Sequence, residues 1–336
     1  MVIHRSALKD APAAWRGTDF ATPRSWVLTL TDAMREEIIA AFRRSGTTDP
    51  SALVPKTFPL PRTRPLLDNA RHALEHGAGF AVLAGFPVDA LDAEEIRLAY
   101  AGVCAHLGQM VVQNGRGERM VDVIDKGRDY SHASRGYEGH ARLPFHTDGT
   151  KGETLPVHYA ALLCRETAAS GGLSALASGV TLYATLQQRH PELVPVLQRG
   201  FHHHRQGDHG ENEPPISRER IPVFSFHDGY LRVRYNRNNA EWSQHAGVVI
   251  EDEERRALEA ADAILDEPGF ALSMGLEPGD LQIINNFTVL HARTEYDDAP
   301  ERKRHLLRLW ISNPSSPRAG TDLIERFSSP ESRFAD

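Results

Sequence analysis

Leu143-Pro144-Phe145-His146-Thr147-Asp148-Gly149-Thr150 places an imidazole and a carboxylate two residues apart, just after an apolar approach. In a β-strand, side chains i and i+2 point to one face. Read as a strand, this stretch lets His146 and Asp148 grip one metal ion together, with Phe145 and Thr147 turned the other way.

The pair gains meaning only from its context. Random placement of 17 His among 45 acidic residues in 336 gives about two His-x-acid pairs. The chain has three: His146/Asp148, His190/Glu192 and His209/Glu211. His190 precedes Pro191 after a helical pattern and reads as a helix end. His209 lies in the polar loop 205–212. Only His146/Asp148 sits between apolar, strand-like runs. Two His and one carboxylate, with the other positions open, form the metal set of non-haem Fe(II) oxygenases. A second His is therefore needed from elsewhere in the chain.

A length of 336 residues allows a sizeable core in one large or two ordinary domains. The formal net charge of −7 argues against general nucleic-acid binding, which needs a basic footprint, and leaves room for a local basic pocket. Cys104 and Cys164 lie in apolar surroundings, as in a reduced, cytoplasmic protein. Residues 1–15 lack the apolar core of a signal peptide. No apolar run approaches the roughly 18 residues of a membrane span.

Capping signals and apolar periodicity predict helices over 31–44, about 66–76, 92–107, 178–188 and 252–265. Short apolar runs at 25–30, 80–83, 157–164, 170–176, 223–226, 230–235, 281–291 and 304–312 read as strands. Two polar inserts, 114–142 and 202–222, interrupt them. Within the first, 125–141 is expected to be a mobile lid over the site. The His202-His203-His204 run reads as loop rather than metal site. The tail from Asn313 is rich in Pro and Ser and is expected to be loosely held. Short strands, with helices gathered in the first third and around the inserts, predict a mainly β, α+β fold. Its core would be a jelly roll, not a βαβ chain.

His291 supplies the second half of the site. It ends an apolar run and is followed by Arg293, Arg302, Arg304 and Arg308. A guanidinium meets a carboxylate with two prongs, which suits an anionic co-substrate held beside a metal. With 302–310 extended, Arg302, Arg304 and Arg308 share one face and Leu307 and Leu309 the other. Arg302 reads as the exposed start of the strand; Arg304 and Arg308 lie among apolar neighbours.

This pattern resembles the Fe(II)/2-oxoglutarate-dependent oxygenases of the taurine dioxygenase and clavaminate synthase-like family. The resembling pieces are Phe145-His146-Thr147-Asp148, Gly171-Gly172-Leu173-Ser174, Pro278-Gly279-Asp280, Asn285-Asn286, His291-Ala292-Arg293 and Arg304-His305-Leu306. They fall in the expected order within about 64–312. The resemblance implies a single catalytic domain over 1–336 with a double-stranded β-helix core, cupin-like, and iron at its open end. His146, Asp148 and His291 match the metal triad. Arg304 matches the Arg that pairs with the distal carboxylate of 2-oxoglutarate, with Arg302 a rival because family spacings vary. Arg308 matches a second Arg that in some members contacts the co-substrate or an anionic substrate. Ser174 stands where many members have Thr and keeps the hydroxyl.

The implied reaction consumes dioxygen and 2-oxoglutarate, releases succinate and carbon dioxide, and oxidises a C–H bond of a small-molecule substrate. Hydroxylation is the default; desaturation, cyclisation and epimerisation use the same triad. Related halogenases replace the carboxylate ligand with a small residue, and Asp148 argues against that chemistry. Members often act on amino acids, sulfonates or natural-product intermediates, and homo-oligomers are common among them. Gln113, Asn114, Arg234 and Asn236 are candidate substrate residues. Two other readings compete: a cupin-like metal-binding module without turnover, and a structural protein that inherited the barrel. The dicarboxylate anchor formed by Arg304, Arg308 and Ser174 separates the enzyme from the bare metal module. The intact triad separates it from the structural protein.

Overall fold

The computed structural model describes residues 12–20, 24, 26–150, 157–209 and 212–319. Ser25, Glu211 and the tail beyond 319, which carried sequence expectations, lie outside them. The fold is α+β, with a mixed larger sheet and an antiparallel smaller sheet, each covered by helices on its outer face.

The larger sheet has seven strands. Its order is Val27–Thr29, Phe80–Ala84, Leu281–Asn285, Tyr159–Glu166, His305–Ser312 and Gln109–Val111, and Met120–Val123 also pairs with His305–Ser312. The smaller sheet has four, in the order Leu272–Met274, Ser174–Ser178, Val289–Arg293 and Leu143–His146.

Strand alternation decides what each face carries. Ala81, Leu83, Leu281, Ile283, Leu307, Leu309 and Ile311 point outward from the large sheet. They pack beneath the helices Asp32–Ser45, Arg64–His76 and Ala93–Cys104, through Ile38, Leu67, Leu74 and Tyr100. Phe80, Val82, Ala160, Ile284 and Trp310 point inward and share a core with Leu176, Leu272, Met274 and Val289 of the small sheet. The outer face of the small sheet, with Phe145, Ala177, Leu290 and Ala292, is covered by the helices Gly179–Arg189, Val194–Arg199 and Asp252–Leu265. The space between the sheets is thus lined by one parity of each strand. Arg308 shares the inward parity of Trp310, and His291 that of Val289.

The helix starts follow their capping signals. Thr31 accepts a hydrogen bond from Met34 N, Asp92 and Glu95 form a reciprocal capping box, and Ser178 accepts from Thr181 N. His190 closes the helix Gly179–Arg189 as its C-terminal cap. The insert 114–142 is less irregular than its composition suggests: Met120–Val123 is a strand paired along Leu306–Leu309 of the final strand. Its Val121 and Val123 are buried there, which explains the apolar patch inside a polar insert. The helix Val194–Arg199 was not foreseen, although Pro195 in its first turn is a usual start signal. Among the described residues, no helix is long and apolar enough to cross a membrane.

Candidate active site

His146 and His291 face each other as register partners of two antiparallel strands. Their ring centroids are 4.2 Å apart. The expected strand through Asp148 is corrected by the structure, because the strand ends at His146. Thr147 N then donates to Tyr235 O (2.7 Å), and Asp148 N to Asn286 Oδ1 (2.8 Å). These bonds leave the strand ladder and turn Asp148 inward. Asn286 Nδ2 donates in return to the carbonyls of Asp148 and Val157. The Asp148 carboxylate therefore reaches both imidazoles, with Oδ1 3.9 Å from His146 Nε2 and Oδ2 3.8 Å from His291 Nε2. Ligand atoms each about 2.0–2.2 Å from one shared ion span distances of this size.

Protonation fits metal binding, which needs neutral imidazole and ionised carboxylate. Burial lowers the pKa of His146 below its ordinary value. Burial and the neighbouring His146 push His291 down to about 3. Burial alone would raise Asp148, but Arg308, both imidazoles and the Trp310 indole hold it below the usual carboxylate range. His146 Nδ1 donates to Pro144 O (2.9 Å), which leaves Nε2 as the lone-pair nitrogen facing the cluster. No other group of His, Cys, Asp and Glu among the described residues is gathered in this way.

Two side chains from the final strand hold the Asp148 carboxylate. Trp310 Nε1 donates to Oδ2 (2.8 Å) and Arg308 Nη1 to Oδ1 (3.3 Å). Arg308 is itself fixed by Gln113 Oε1 (2.8 Å) and lies between the rings of Tyr137 and Trp310. Trp310 and Asn286 were not singled out as site residues. Trp310 was detectable as i+2 of Arg308 on the same strand face.

Two cavities meet at this cluster. The first is lined by Ser174, His291, Arg293, Arg304, Arg308 and Leu162, among others, with no carboxylate in its wall. Arg304 is buried, and its Nη1 has no hydrogen-bond partner among the described residues. Its Cζ lies 5.0 Å from the Tyr296 ring centre, and the Arg293 Cζ lies 4.8 Å from it. Burial and the nearby Arg304 push the Arg293 pKa down to about 10. Burial lowers that of Arg304 as well. A buried guanidinium with an unused N–H, in a cavity without acids, calls for an anion. The Gly171-Gly172 pair makes room for it: Gly172 has φ +67°, and a Cβ there would stand 3.0 Å from Arg304 Nε. Ser174 Oγ donates to Gln282 Oε1 (3.0 Å) at the cavity wall. Arg302 stays outside, exposed, and donates to Thr167 Oγ1.

The second cavity lies on the other side of His146 and Asp148. Gln113, Asn114 and Asn236 line it, together with Tyr130, Arg135, Gln206, Asp208 and Asn239. Arg234 does not line it; its guanidinium bonds Gly149 O (2.7 Å) behind the wall. Tyr130, Arg135, Gly136 and Tyr137 of the stretch 125–141 line the cavity as well. Gln206 Nε2 donates to the carbonyls of Ser131 and Ser134, Arg135 pairs with Asp208, and Tyr130 packs edge-on to Trp242.

A buried His/Asp/His cluster between two sheets, beside a basic cavity, has the donor set of the mononuclear non-haem iron oxygenases. Residues 44–310 match the family described as "Taurine catabolism dioxygenase TauD, TfdA family". The chain is 34% identical over 321 residues to FR-33289 synthase of Streptomyces rubellomurinus (strain ATCC 31215), covering 93% of this chain and 92% of that one. Among solved structures it resembles asparagine oxygenase in complex with Fe(II), 2S,3S-3-hydroxyasparagine and succinate. That match has TM-score 0.65 at 18% identity and covers 85% of this chain and 93% of the other. It also resembles the non-haem iron oxygenase OrfP with Fe and alpha-ketoglutaric acid, at TM-score 0.64 and 17% identity over 85% and 94% of the two chains. The chain belongs to the TauD, TfdA family. It is an oxidoreductase, a dioxygenase that uses Fe(II), 2-oxoglutarate and dioxygen.

Proposed function

We propose that His146, Asp148 and His291 hold the iron, that Arg304 receives the distal carboxylate of 2-oxoglutarate, and that the second cavity receives the substrate. The observation that carries this reading is the buried Arg304 Nη1 without a partner, in the cavity that also holds His291 and Ser174. When bound, iron and 2-oxoglutarate supply the oxidative decarboxylation that yields succinate, carbon dioxide and the oxidant for a C–H bond.

The chain's own residues do the positioning. Trp310 and Arg308 orient the Asp148 carboxylate. Ser174 offers its hydroxyl beside the anion site, where Gln282 holds it. The stretch 125–141 covers the substrate cavity and excludes water from it. Gln113, Asn114 and Asn236 form part of that cavity wall, but each side chain already serves the fold. Gln113 holds Arg308, Asn114 caps the turn to Glu118, and Asn236 caps the helix Arg237–Trp242. We read them as shaping the cavity. A polar cavity whose wall carries Arg135 paired with Asp208 and Arg308 paired with Asp148 suits a small polar substrate such as an amino acid. That choice agrees with the hydroxylated asparagine bound to the structural neighbour. Hydroxylation is the reaction we assign.

The two facing sheets support a jelly-roll core in a single oxygenase domain over 1–336. The two free, buried cysteines support a cytoplasmic protein. Anaerobic addition of Fe(II) and then 2-oxoglutarate tests metal and co-substrate together, before any substrate is known. A weak visible charge-transfer band is expected in the wild type and absent from Arg304→Ala at the same 2-oxoglutarate concentration. A band of equal strength in Arg304→Ala would remove the anchor from this reading.

A further inference from the structure

Arg293 has a divided side chain. Its Nη2 donates to the carbonyls of Gly139 (2.8 Å) and Ala141. Its Nε and Nη1 are buried without hydrogen-bond partners among the described residues, and it lines the same cavity as Arg304. Between these two carbonyls, His140 O accepts from Tyr296 N (3.2 Å). Three successive carbonyls, those of 139, 140 and 141, are therefore tied to the segment 293–296. Tyr296 in turn lies between the guanidiniums of Arg293 and Arg304. The tied carbonyls form the base of the stretch 125–141, whose Tyr130, Arg135, Gly136 and Tyr137 line the substrate cavity.

We propose that Arg293 is a positioning residue that couples the co-substrate cavity to the cover of the substrate cavity. The inference rests on the reading of Arg304 as the 2-oxoglutarate anchor. With the cavity empty, Arg293 and Arg304 repel each other across Tyr296, and two buried N–H groups of Arg293 lack acceptors. A dicarboxylate in the cavity neutralises both guanidiniums. Arg293 then keeps one orientation, and its Nη2 holds the base of 125–141 in place. Co-substrate binding thereby orders the substrate cavity before the substrate arrives. The link is contiguous: one guanidinium bears on the anion with one edge and on the cover with another.

Hydrogen exchange on the full chain with Fe(II), under anaerobic conditions, reads this coupling without turnover. Adding 2-oxoglutarate is expected to slow exchange across 125–141 by about fivefold or more in the wild type, the lower end of ordinary coupling between sites. Arg293→Gln should bind 2-oxoglutarate more weakly, having lost a charge beside the anion, and should lose that slowing even at concentrations that saturate its charge-transfer band. Arg293→Lys keeps the charge but gathers its donors on one nitrogen and loses the fork that faces the carbonyls and the anion with different edges, so it should recover only part of the slowing. It carries the test if the Gln variant does not fold. Equal slowing in wild type and Arg293→Gln overturns the proposal, as does no slowing in the wild type. The anchor reading is tested apart: unchanged 2-oxoglutarate affinity in Arg304→Ala removes the anchor itself, whatever Arg293 does.

Discussion

His291 and His146 are paired across the small sheet at one register position, and Asp148 reaches both from just beyond the strand end. His291 is buried and His146 half-buried, and desolvation keeps both below their ordinary pKa. Their ligand atoms and those of Asp148 lie close enough together to hold one metal ion. His146→Ala, Asp148→Ala and His291→Ala are each expected to abolish Fe(II)-dependent consumption of 2-oxoglutarate. His190→Ala, at an exposed helix cap, should leave it unchanged. Measuring succinate release for the four variants checks this, and loss of activity in His190→Ala would put the assignment in trouble.

Arg304 should dominate the affinity for 2-oxoglutarate. Loss of one partner of a buried charge-assisted contact costs on the order of 2–5 kcal/mol. At about 1.4 kcal/mol per tenfold, Arg304→Ala should weaken 2-oxoglutarate by well over tenfold and leave Fe(II) binding nearly intact. Arg304→Lys keeps the charge and loses the fork, so it should fall between. Arg302→Ala should do little, because its guanidinium is exposed on Thr167. Titration of each anaerobic Fe(II) variant decides; a large loss in Arg302→Ala and a small one in Arg304→Ala would reverse the assignment.

The meeting of His146 with His291 and the burial of Arg304 were legible because strand parity and apolar context are local properties. Phe145 and Leu290 mark the outward face, so His146 and His291 must point the other way. What was not legible depends on contacts between distant segments. Asp148 shares a face with His146 in sequence, yet it is placed by Asn286 and Tyr235 after the strand has ended. Met120–Val123 looked like a patch in a loop because its partner strand lies far along the chain. Arg234 looked like a pocket residue because its alternating run gives no sign that the carbonyl of Gly149 claims it. Glycines 171 and 172 were visible as a motif, but their reason is the passage of Tyr296 and Arg304.

That passage gives a prediction. An alanine Cβ at 172 would stand 3.0 Å from Arg304 Nε and 3.1 Å from Cδ, at a φ of +67° that L residues rarely adopt. Gly172→Ala should displace the guanidinium and weaken 2-oxoglutarate, with Fe(II) affinity close to wild type. Comparing the two titrations checks it, and wild-type affinity for 2-oxoglutarate would mean that the anchor tolerates a shifted guanidinium.

Trp310 should act on the metal rather than the co-substrate. Its indole N–H donates to Asp148 Oδ2 at 2.8 Å and is buried with it. Groups that orient a metal ligand commonly contribute about 10–100-fold in metal affinity. Trp310→Phe keeps an aromatic ring beside Arg308 and removes the donor with the five-membered half of the indole. It should lower Fe(II) affinity by roughly that factor and leave the fold intact. Circular dichroism and Fe(II) titration together separate the two effects; unchanged Fe(II) affinity in a folded variant would show that Arg308 and Asn286 orient Asp148 without help.

Acid sensitivity should come in part from His203. It is buried, and its Nδ1 bonds the Thr150 carbonyl at 3.1 Å. Burial and the charge of Arg234 push its pKa from 6.5 down to about 3. The folded chain therefore favours the neutral imidazole, while the unfolded chain takes up a proton near the ordinary value. Between those two values the unfolded state binds more protons, so stability falls as the pH falls. The contribution is fully present above about pH 6.5, where neither state is protonated, and declines toward pH 3. His203→Gln keeps a hydrogen-bonding side chain without the titration. Urea unfolding from pH 7.5 down to about 4.5 should therefore show a shallower loss of stability in the variant than in the wild type, with the two curves diverging only below about pH 6.5. Parallel curves over that window would assign the acid sensitivity to other groups.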